Sequence, residues 1–331
     1  MAHQLTPKLA ALAAAQGGPF TTAQAREAGY DAREIHRFLI NGKWIRVRRG
    51  VYAERMVVPD DQEGRHLLLL RAAILSLKPT VAASHVTGAA LHQIALLNPD
   101  YSLVHITRDG AGSSRTEAGV CHHDAALPAA HLTKIDGIVV TDAARTILDL
   151  ARNESFEAAL VAAESALHKK LTTLAELREI LDYCVDWPGA RQAGRVVSFA
   201  SPYSESPGES VARIAFDYLG LPPPSQQVEI YDAMGFIGRS DFLWEEHHTV
   251  GEFDGRLKYV GDDVDDEVLY KEKRREDRLR DGGCEVFRID WAESLARSPS
   301  IRRKALAAFA RAARSVVRPA LRFKHQPSDG G

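Results

Sequence analysis

The stretch VGEFDGRLKY, residues 250–259, carries two carboxylates, Glu252 and Asp254, two residues apart in a segment whose alternation is that of extended chain. Side chains in a strand alternate between faces, so these two acids share a side and repel one another. A polar turn at Glu245–His248 links the segment to GFIGRSDFLWEE, and a hairpin of the two sets Asp241 beside Glu252. A hard divalent cation between such carboxylates relieves the repulsion. Mg²⁺ takes oxygen ligands and keeps several waters. Held there, it lowers the pKa of a bound water, orients it and neutralises charge building on a phosphate. Glu209, in the first turn of a helix opened by Ser206-Pro207, has a simpler role, interaction with the positive end of that helix, worth ~0.3–1 kcal/mol.

Elements on either side must hold these groups in place. After the helix GESVARIAFDYLG and the breaker LPPPSQ come three extended segments, QQVEIYD, GFIGRSDFLWEE and HTVGEFDG. A helix from about Asp265 to Asp281 ends at Gly282-Gly283, an apolar strand CEVFRIDW follows, and a basic amphipathic helix lies near 299–315. Arg274, Arg275 and Arg278 fall near one side of the first of these helices, where they can hold phosphates. Lys271 follows Glu267 by four residues, the spacing of a helical ion pair. The acid run GDDVDDE lacks the spacing of an EF-hand loop and reads as a solvated loop.

At the other end, Leu5–Ala15 has helical spacing and stops at Gly17-Gly18-Pro19. Thr21-x-x-Gln24 and Asp31-x-x-Glu34 are capping-box patterns that open two more short helices. On the third helix Ile35, Phe38 and Leu39 face one way, and Arg33, His36 and Arg37 the other. KWIRVRRGVYA then alternates as a strand, turns at Arg49-Gly50 and resumes. Three short helices and a basic hairpin are the order of a winged helix-turn-helix. Arg33 and Arg37 on the third helix are placed for bases or phosphates in the major groove. Arg46, Arg48 and Arg49 on the wing are placed for backbone. Trp44 and Tyr52 read as core.

The middle reads as mixed α/β: a leucine-rich helix from Asp61 to Leu77, a helix capped by Ser84, strands YSLVHITRD and GVCHHD around a Gly/Ser turn, and a strand feeding a helix capped by Thr141. Helices near 155–169, 173–184 and 189–200 follow. Adjacent strand residues point to opposite faces, so the pair His122-His123 is not read as a single metal site. His85, His92 and His105 read as structural or surface histidines. No nucleophile elbow, P-loop or dinucleotide fingerprint occurs.

At 331 residues the chain is expected to hold two or three domains. The net charge of −2 is unevenly spread. Residues 1–60 hold nine basic against five acidic residues, 301–324 hold eight basic and no acidic ones, and acid gathers between Asp241 and Glu267. Basic ends around an acidic centre suit a polyanion held at its flanks. Cys121, Cys184 and Cys284 lie far apart, which argues for a reducing cytoplasm. The lack of a long uncharged apolar run argues against a membrane partner.

Two stretches resemble known families. GGPFTTAQAREAGYDAREIHRFLINGKWIRVRRGVYA resembles the N-terminal domain of the AbiEi-like antitoxins of type IV toxin–antitoxin systems, which implies DNA binding, often at the system's own promoter. RSDFLW, VGEFDG and EKRREDRLRDGGCEVFRIDW, within about 205–295, resemble the Vsr-like endonuclease domains of the PD-(D/E)xK superfamily. That resemblance implies Asp241 and Glu252 as Mg²⁺ ligands assisted by the Phe253 carbonyl. It sets Glu209 behind them through water, and makes Asp254 either a further ligand or the holder of a basic neighbour. The chain departs from the motif where Asp254 stands in place of the usual lysine, so Lys258, Lys271 or Lys273 must supply the amine, or the fold binds DNA without cutting it. The expectation is an α+β multidomain protein: a winged helix-turn-helix at 1–58, a mixed α/β connector at 59–200, a restriction-endonuclease-like α/β domain at 201–297, and a basic helix with a disordered tail at 298–331. Its expected partners are DNA and a toxin or other protein. Its expected action is Mg²⁺-dependent phosphodiester hydrolysis or, alternatively, antitoxin-like regulation with an inactive nuclease fold.

Overall fold

The computed structural model describes residues 5–77, 81–110, 112, 114–255, 266–315 and 321–326. Among them the chain forms thirteen α-helices and three sheets, a mixed α+β architecture. It gathers into two compact units, one of Met1–Glu154 with Glu179–Ala193 and one of Ser155–Arg178 with Gly194–Gly331.

The first unit opens with α1 (Pro7–Ala15), β1 (Phe20–Thr21), α2 (Thr22–Glu27), α3 (Ala32–Ile40), β2 (Trp44–Arg48) and β3 (Val51–Glu54). Both capping boxes form. Gln24 N donates to Thr21 Oγ1 at 3.2 Å and Thr21 N donates to Gln24 Oε1 at 2.8 Å. Asp31 and Glu34 make the same exchange at 2.7 and 3.0 Å. Leu9, Phe20, Ile35, Phe38, Trp44 and Tyr52 share one core, with Trp44 stacked on Phe38 at 4.9 Å. The strand β1 pairs with β3, giving the order β1-β3-β2. Two residues are too few to show alternation, which is why β1 does not register in the sequence pattern.

The chain continues through α4 (Gln62–Ile74), β4 (Val81–Ala83), α5 (His85–Leu91), β5 (Val104–Arg108), β6 (Arg115–Glu117), β7 (Val120–Asp124), β8 (Leu132–Ile135), β9 (Ile138–Thr141) and α6 (Ala143–Asn153). The six strands run β6-β7-β5-β4-β9-β8. β5 and β7 are neighbours, in parallel, because β6 intervenes and pairs antiparallel with β7. The cap of α6 is Asp142, not Thr141: Arg145 N donates to Asp142 Oδ1 at 2.7 Å. The Thr141 hydroxyl is instead taken up by Thr146 Oγ1 at 2.6 Å. Three helices follow, α7 (Phe156–His168), α8 (Leu174–Tyr183) and α9 (Ala190–Phe199).

The second unit holds α10 (Pro207–Tyr218), β10 (Ser225–Asp232), β11 (Gly235–Trp244), β12 (Thr249–Asp254), α11 (Asp266–Asp281), β13 (Glu285–Asp290), α12 (Trp291–Leu295), α13 (Pro299–Arg314) and β14 (Arg322–Lys324). The sheet order is β13-β12-β11-β10-β14. β10, β11 and β12 form an antiparallel meander, and α11 carries the chain over so that β13 runs parallel to β12. One sheet face packs Phe242, Trp244 and Phe287 against Phe216 of α10 and Phe309 of α13. The other packs Val228, Ile230, Leu243 and Val250 against Leu279 of α11.

Two features mark the C-terminal end. The basic helix α13 is part of this core, because Ile301, Ala305, Ala308, Phe309 and Ala312 make a buried stripe beneath its exposed arginines. The tail is not wholly without structure: β14 pairs with β10, Phe323 packs against the Val228–Ile230 cluster, and Lys324 Nζ meets Glu229 Oε2 at 3.0 Å.

Within the second unit, Glu164 of α7 is fully buried and paired with Arg213 of α10. Burial pushes its carboxyl above the usual range, and Arg213 pulls it back. Removing one partner of a buried pair strands the other charge. Arg213→Ala is therefore expected to lower the unfolding free energy of this unit by about 3–5 kcal/mol in urea titration. A drop below about 1 kcal/mol, the range of a surface pair, would contradict this reading.

Candidate functional site

β11 and β12 pair Phe242 with Gly251, and this register continues to bring Asp241 next to Glu252. Asp241 also fastens the neighbouring strand: Phe253 N donates to Asp241 Oδ2 at 2.8 Å. Beyond β12, the parallel register sets Glu252 level with Arg288 and Asp254 level with Asp290. These strand ends floor a cleft of about 290 Å³ lined by Arg239, Asp241, Glu252, Phe253, Asp254, Gly255, Glu272, Arg275 and Arg288. Gly208, on α10, admits the Phe253 ring, because a Cβ there would run into it. The ring also makes an edge contact with Trp291, centroids 5.4 Å apart. Packing thus fixes the backbone between the two acids Glu252 and Asp254.

The cleft's electrostatics are those of crowded carboxylates met by arginines. Burial pushes Glu252 above the usual carboxylate range; Arg275 and Arg288 oppose that shift, and Asp241 adds to it. Arg275 pairs with Glu252 Oε1, and Arg288 Nη2 stands 3.8 Å from Glu252 Oε2. Glu209 is also buried and raised, first by desolvation; Asp241 again adds to the shift against hydrogen bonds that lower it. Those bonds come from Glu205 N at 3.0 Å, Ser206 Oγ at 2.7 Å and Gln227 Nε2 at 2.8 Å. Ser206 in turn accepts from Glu209 N at 3.3 Å, so Glu209 also completes the helix cap. The charge of Asp241 acts on both glutamates, which brings the three acids into one field. The donors are hard oxygens, the type Mg²⁺ takes, so the residues fit such an ion in kind. Two guanidinium groups already compensate Glu252, and a dication there would share or displace the Arg275 contact.

The other predicted residues are spread more widely. Lys258 lies outside the described residues, as does most of the acid run. Lys271 is exposed and pairs with Glu267 at 2.7 Å, the i,i+4 contact its spacing implies, and does not line the cleft. Arg274 is exposed over the Tyr270 ring at 5.8 Å. Arg278 is held by the protein's own groups: it meets Asp232 at 2.7 and 2.9 Å and donates to the carbonyls of Phe236 and Gly235. Sequence reasoning does not pick out two of the cleft residues, Arg239 and Arg288. Both sit on strands where alternation aims them at the acids, and the signal for Arg288 lies in the Gly-x-x-Val-x-Arg strand. Arg239 also borders a second depression, about 870 Å³, lined in part by His168, Lys170, Arg178 and Tyr203.

On α3, Arg33, His36 and Arg37 are exposed and Ile35 and Phe38 are buried. Arg46 and Arg49 of the hairpin are exposed too. Arg48 is half-buried and borders a different cavity, with Ser76, Arg115 and His122.

Residues 7–55, which hold this helix and hairpin, match the family model described as "Transcriptional regulator, AbiEi antitoxin". The chain is also 26% identical over 249 residues to the uncharacterized proteins MT2308 and Rv2248 of Mycobacterium tuberculosis, covering 75% of this chain and 86% of theirs. The crystal structure of the RV2827C protein from Mycobacterium tuberculosis aligns with a TM-score of 0.40 and 15% identity, over 62% of this chain and 78% of that one. Among the described residues, no helix is long and apolar enough to cross a membrane.

The raised carboxyl of Glu209 has a consequence for stability. A group whose folded pKa exceeds its unfolded one stabilises below the unfolded value and loses that contribution as pH rises through the folded one. Relative to wild type, Glu209→Gln is expected to be more stable at pH 7 than at pH 4, read by thermal unfolding at both. A variant whose relative stability is higher at pH 4 would reverse the sign and contradict the assignment.

Proposed function

We propose that the chain is a DNA-binding transcriptional regulator of the AbiEi-antitoxin kind, with a winged helix at its N-terminal end and a nuclease-type fold at its C-terminal end. One observation carries the reading: α3 exposes Arg33, His36 and Arg37 on the face opposite its buried Ile35 and Phe38, and the hairpin that follows exposes Arg46 and Arg49. A winged helix docks in this way, its third helix in the major groove and its hairpin on backbone. The match of residues 7–55 supports the same reading. In it, α3 supplies sequence preference and the wing arginines supply salt-dependent affinity. The partners it implies are DNA and, as in the antitoxins, a toxin or other protein; the compartment it implies is the cytoplasm.

The test is binding of the full chain to DNA from upstream of its own gene across a salt series. Arg33→Ala with Arg37→Ala is expected to weaken binding by about 10-fold or more and to flatten the salt slope by about one for each phosphate no longer neutralised. Unchanged affinity and slope would remove the assignment.

A second reading rests on the common field of Glu209, Asp241 and Glu252. In it the C-terminal cleft hydrolyses phosphodiesters. Asp241 and Glu252 would hold Mg²⁺, which when bound would acidify a water and neutralise phosphate charge. Arg239, Arg275 and Arg288 would hold and orient the phosphate, and Glu209 would fix Asp241 from behind. Helix, antiparallel meander, helix and parallel strand in the second unit support the fold. DNA cut by the wild type with Mg²⁺, and at least ~100-fold more slowly by Asp241→Asn, is the expected result. Cleavage that persists in Asp241→Asn would trace it to a contaminant and end this reading.

A further inference from the structure

The first unit brings together three histidines that the sequence holds far apart. His105 lies on β5 and His123 on β7, neighbouring parallel strands in which Thr107 pairs with His123, so both side chains share a face. His85 opens α5, whose first turn is tied to β5 by a hydrogen bond from His105 N to Thr87 Oγ1 at 2.8 Å. The His85 and His123 rings stack at 3.7 Å, and His105 Nδ1 lies 3.0 Å from His123 Nε2. One nitrogen from each ring falls within 4.8 Å of the others. The pair His122-His123 was expected not to form a site because neighbours in a strand diverge. They do diverge, His122 bordering another cavity, and it is His123 that joins the cluster.

We propose that His85, His105 and His123 form a site for a first-row transition-metal dication of the zinc type, with a further coordination position open to a water or small ligand. Imidazole nitrogen is a favoured ligand of such ions. In a tetrahedral zinc site with bonds of about 2.0–2.1 Å, ligand nitrogens lie about 3.3 Å apart. The His105–His123 separation already meets that spacing, and His85 needs to move by ~1.5 Å at most. His105 and His123 are half-buried, whereas His85 is buried. A second layer of groups orients His85. Its Nδ1 lies 3.0 Å from Ser84 Oγ, which receives Thr107 Oγ1 at 2.8 Å, and Asn153 Nδ2 lies 3.3 Å from its Nε2. With Nδ1–H donated to Ser84, Nε2 carries the lone pair, and an ion bound there would take it in place of the Asn153 amide. His85 also holds a left-handed backbone, φ 52°, a conformation uncommon for a side-chain-bearing residue and frequent where a site constrains the chain. Burial, before any charge effect, keeps the rings neutral, His105 down to about 4 and His123 to about 3. Neutral imidazole is the ligating form.

The rival explanation is a stack of hydrogen-bonded histidines with no ion. Zn²⁺ and Co²⁺ titrations of the metal-stripped full chain separate the two. Asp241→Asn is carried in the background so that the C-terminal cleft does not contribute. One equivalent of saturable Zn²⁺ is expected, together with a Co²⁺ ligand-field spectrum of the intense, low-coordinate, nitrogen-ligated type. His105→Asn and His123→Asn are each expected to lower Zn²⁺ affinity by about 100-fold or more, beyond the ~10–100-fold of outer-layer changes. His92→Gln, whose ring bonds the Thr141 carbonyl instead, is expected to bind as wild type. Circular dichroism shows whether each variant folds; if one does not, the wild-type Co²⁺ spectrum decides. No saturable Zn²⁺, a weak octahedral Co²⁺ spectrum, or equal binding by the folded histidine variants would overturn the proposal.

Discussion

The C-terminal unit depends on how a set of crowded carboxylates is neutralised. An antiparallel register sets Asp241 next to Glu252, and the charge of Asp241 helps to raise both Glu252 and Glu209. Like charges near one another disfavour ionisation. The protein answers with arginines: Arg275 reaches Glu252 from α11, and Arg288 approaches from the next strand. The same contacts join α11, β12 and β13, so charge compensation and the parallel return of the chain are one arrangement. The pocket it leaves is lined by both signs of charge, with oxygen donors on the strands and guanidinium groups around them.

The first unit answers a different problem with the same means. Its N-terminal helices bury an aromatic core around Trp44 and leave the arginines of α3 outside. Further along, α6 buries the Arg145 side chain against Asp149 at 3.0 Å, and Trp187 lies 4.8 Å from the guanidinium groups of both Arg145 and Arg152. The cost of burying such a pair is offset only when further hydrogen bonds satisfy the ions. Arg145 finds the Ala126 carbonyl at 3.1 Å, although its Nη2 has no hydrogen-bond partner among the described residues, and Arg152 finds Asp149 at 3.3 Å.

Much of this fold was legible because local chemistry and tertiary structure agree. The capping residues Thr21, Asp31, Asp61 and Ser206 start helices where their side chains accept backbone N–H groups. The hairpin that joins Asp241 to Glu252 follows from alternation and one polar turn. What was not legible depends on partners distant in sequence. Arg278 looks like its neighbours on a helix until Asp232, 46 residues earlier, captures it. β14 is three residues long and is specified by the edge of β10, not by its own pattern. The three histidines are separated by strand crossings that no spacing rule anticipates, and alternation alone could say only that His122 and His123 part company.

A double-mutant cycle on Glu252 and Arg275 tests the charge compensation most directly. Glu252→Gln, Arg275→Gln and the pair would be compared by denaturant unfolding of the metal-free chain. If Arg275 compensates Glu252, the two changes are coupled by about 1–3 kcal/mol, the pair costing less than the separate changes combined. Effects that add to within about 0.3 kcal/mol would mean the two residues act independently, and would contradict the account.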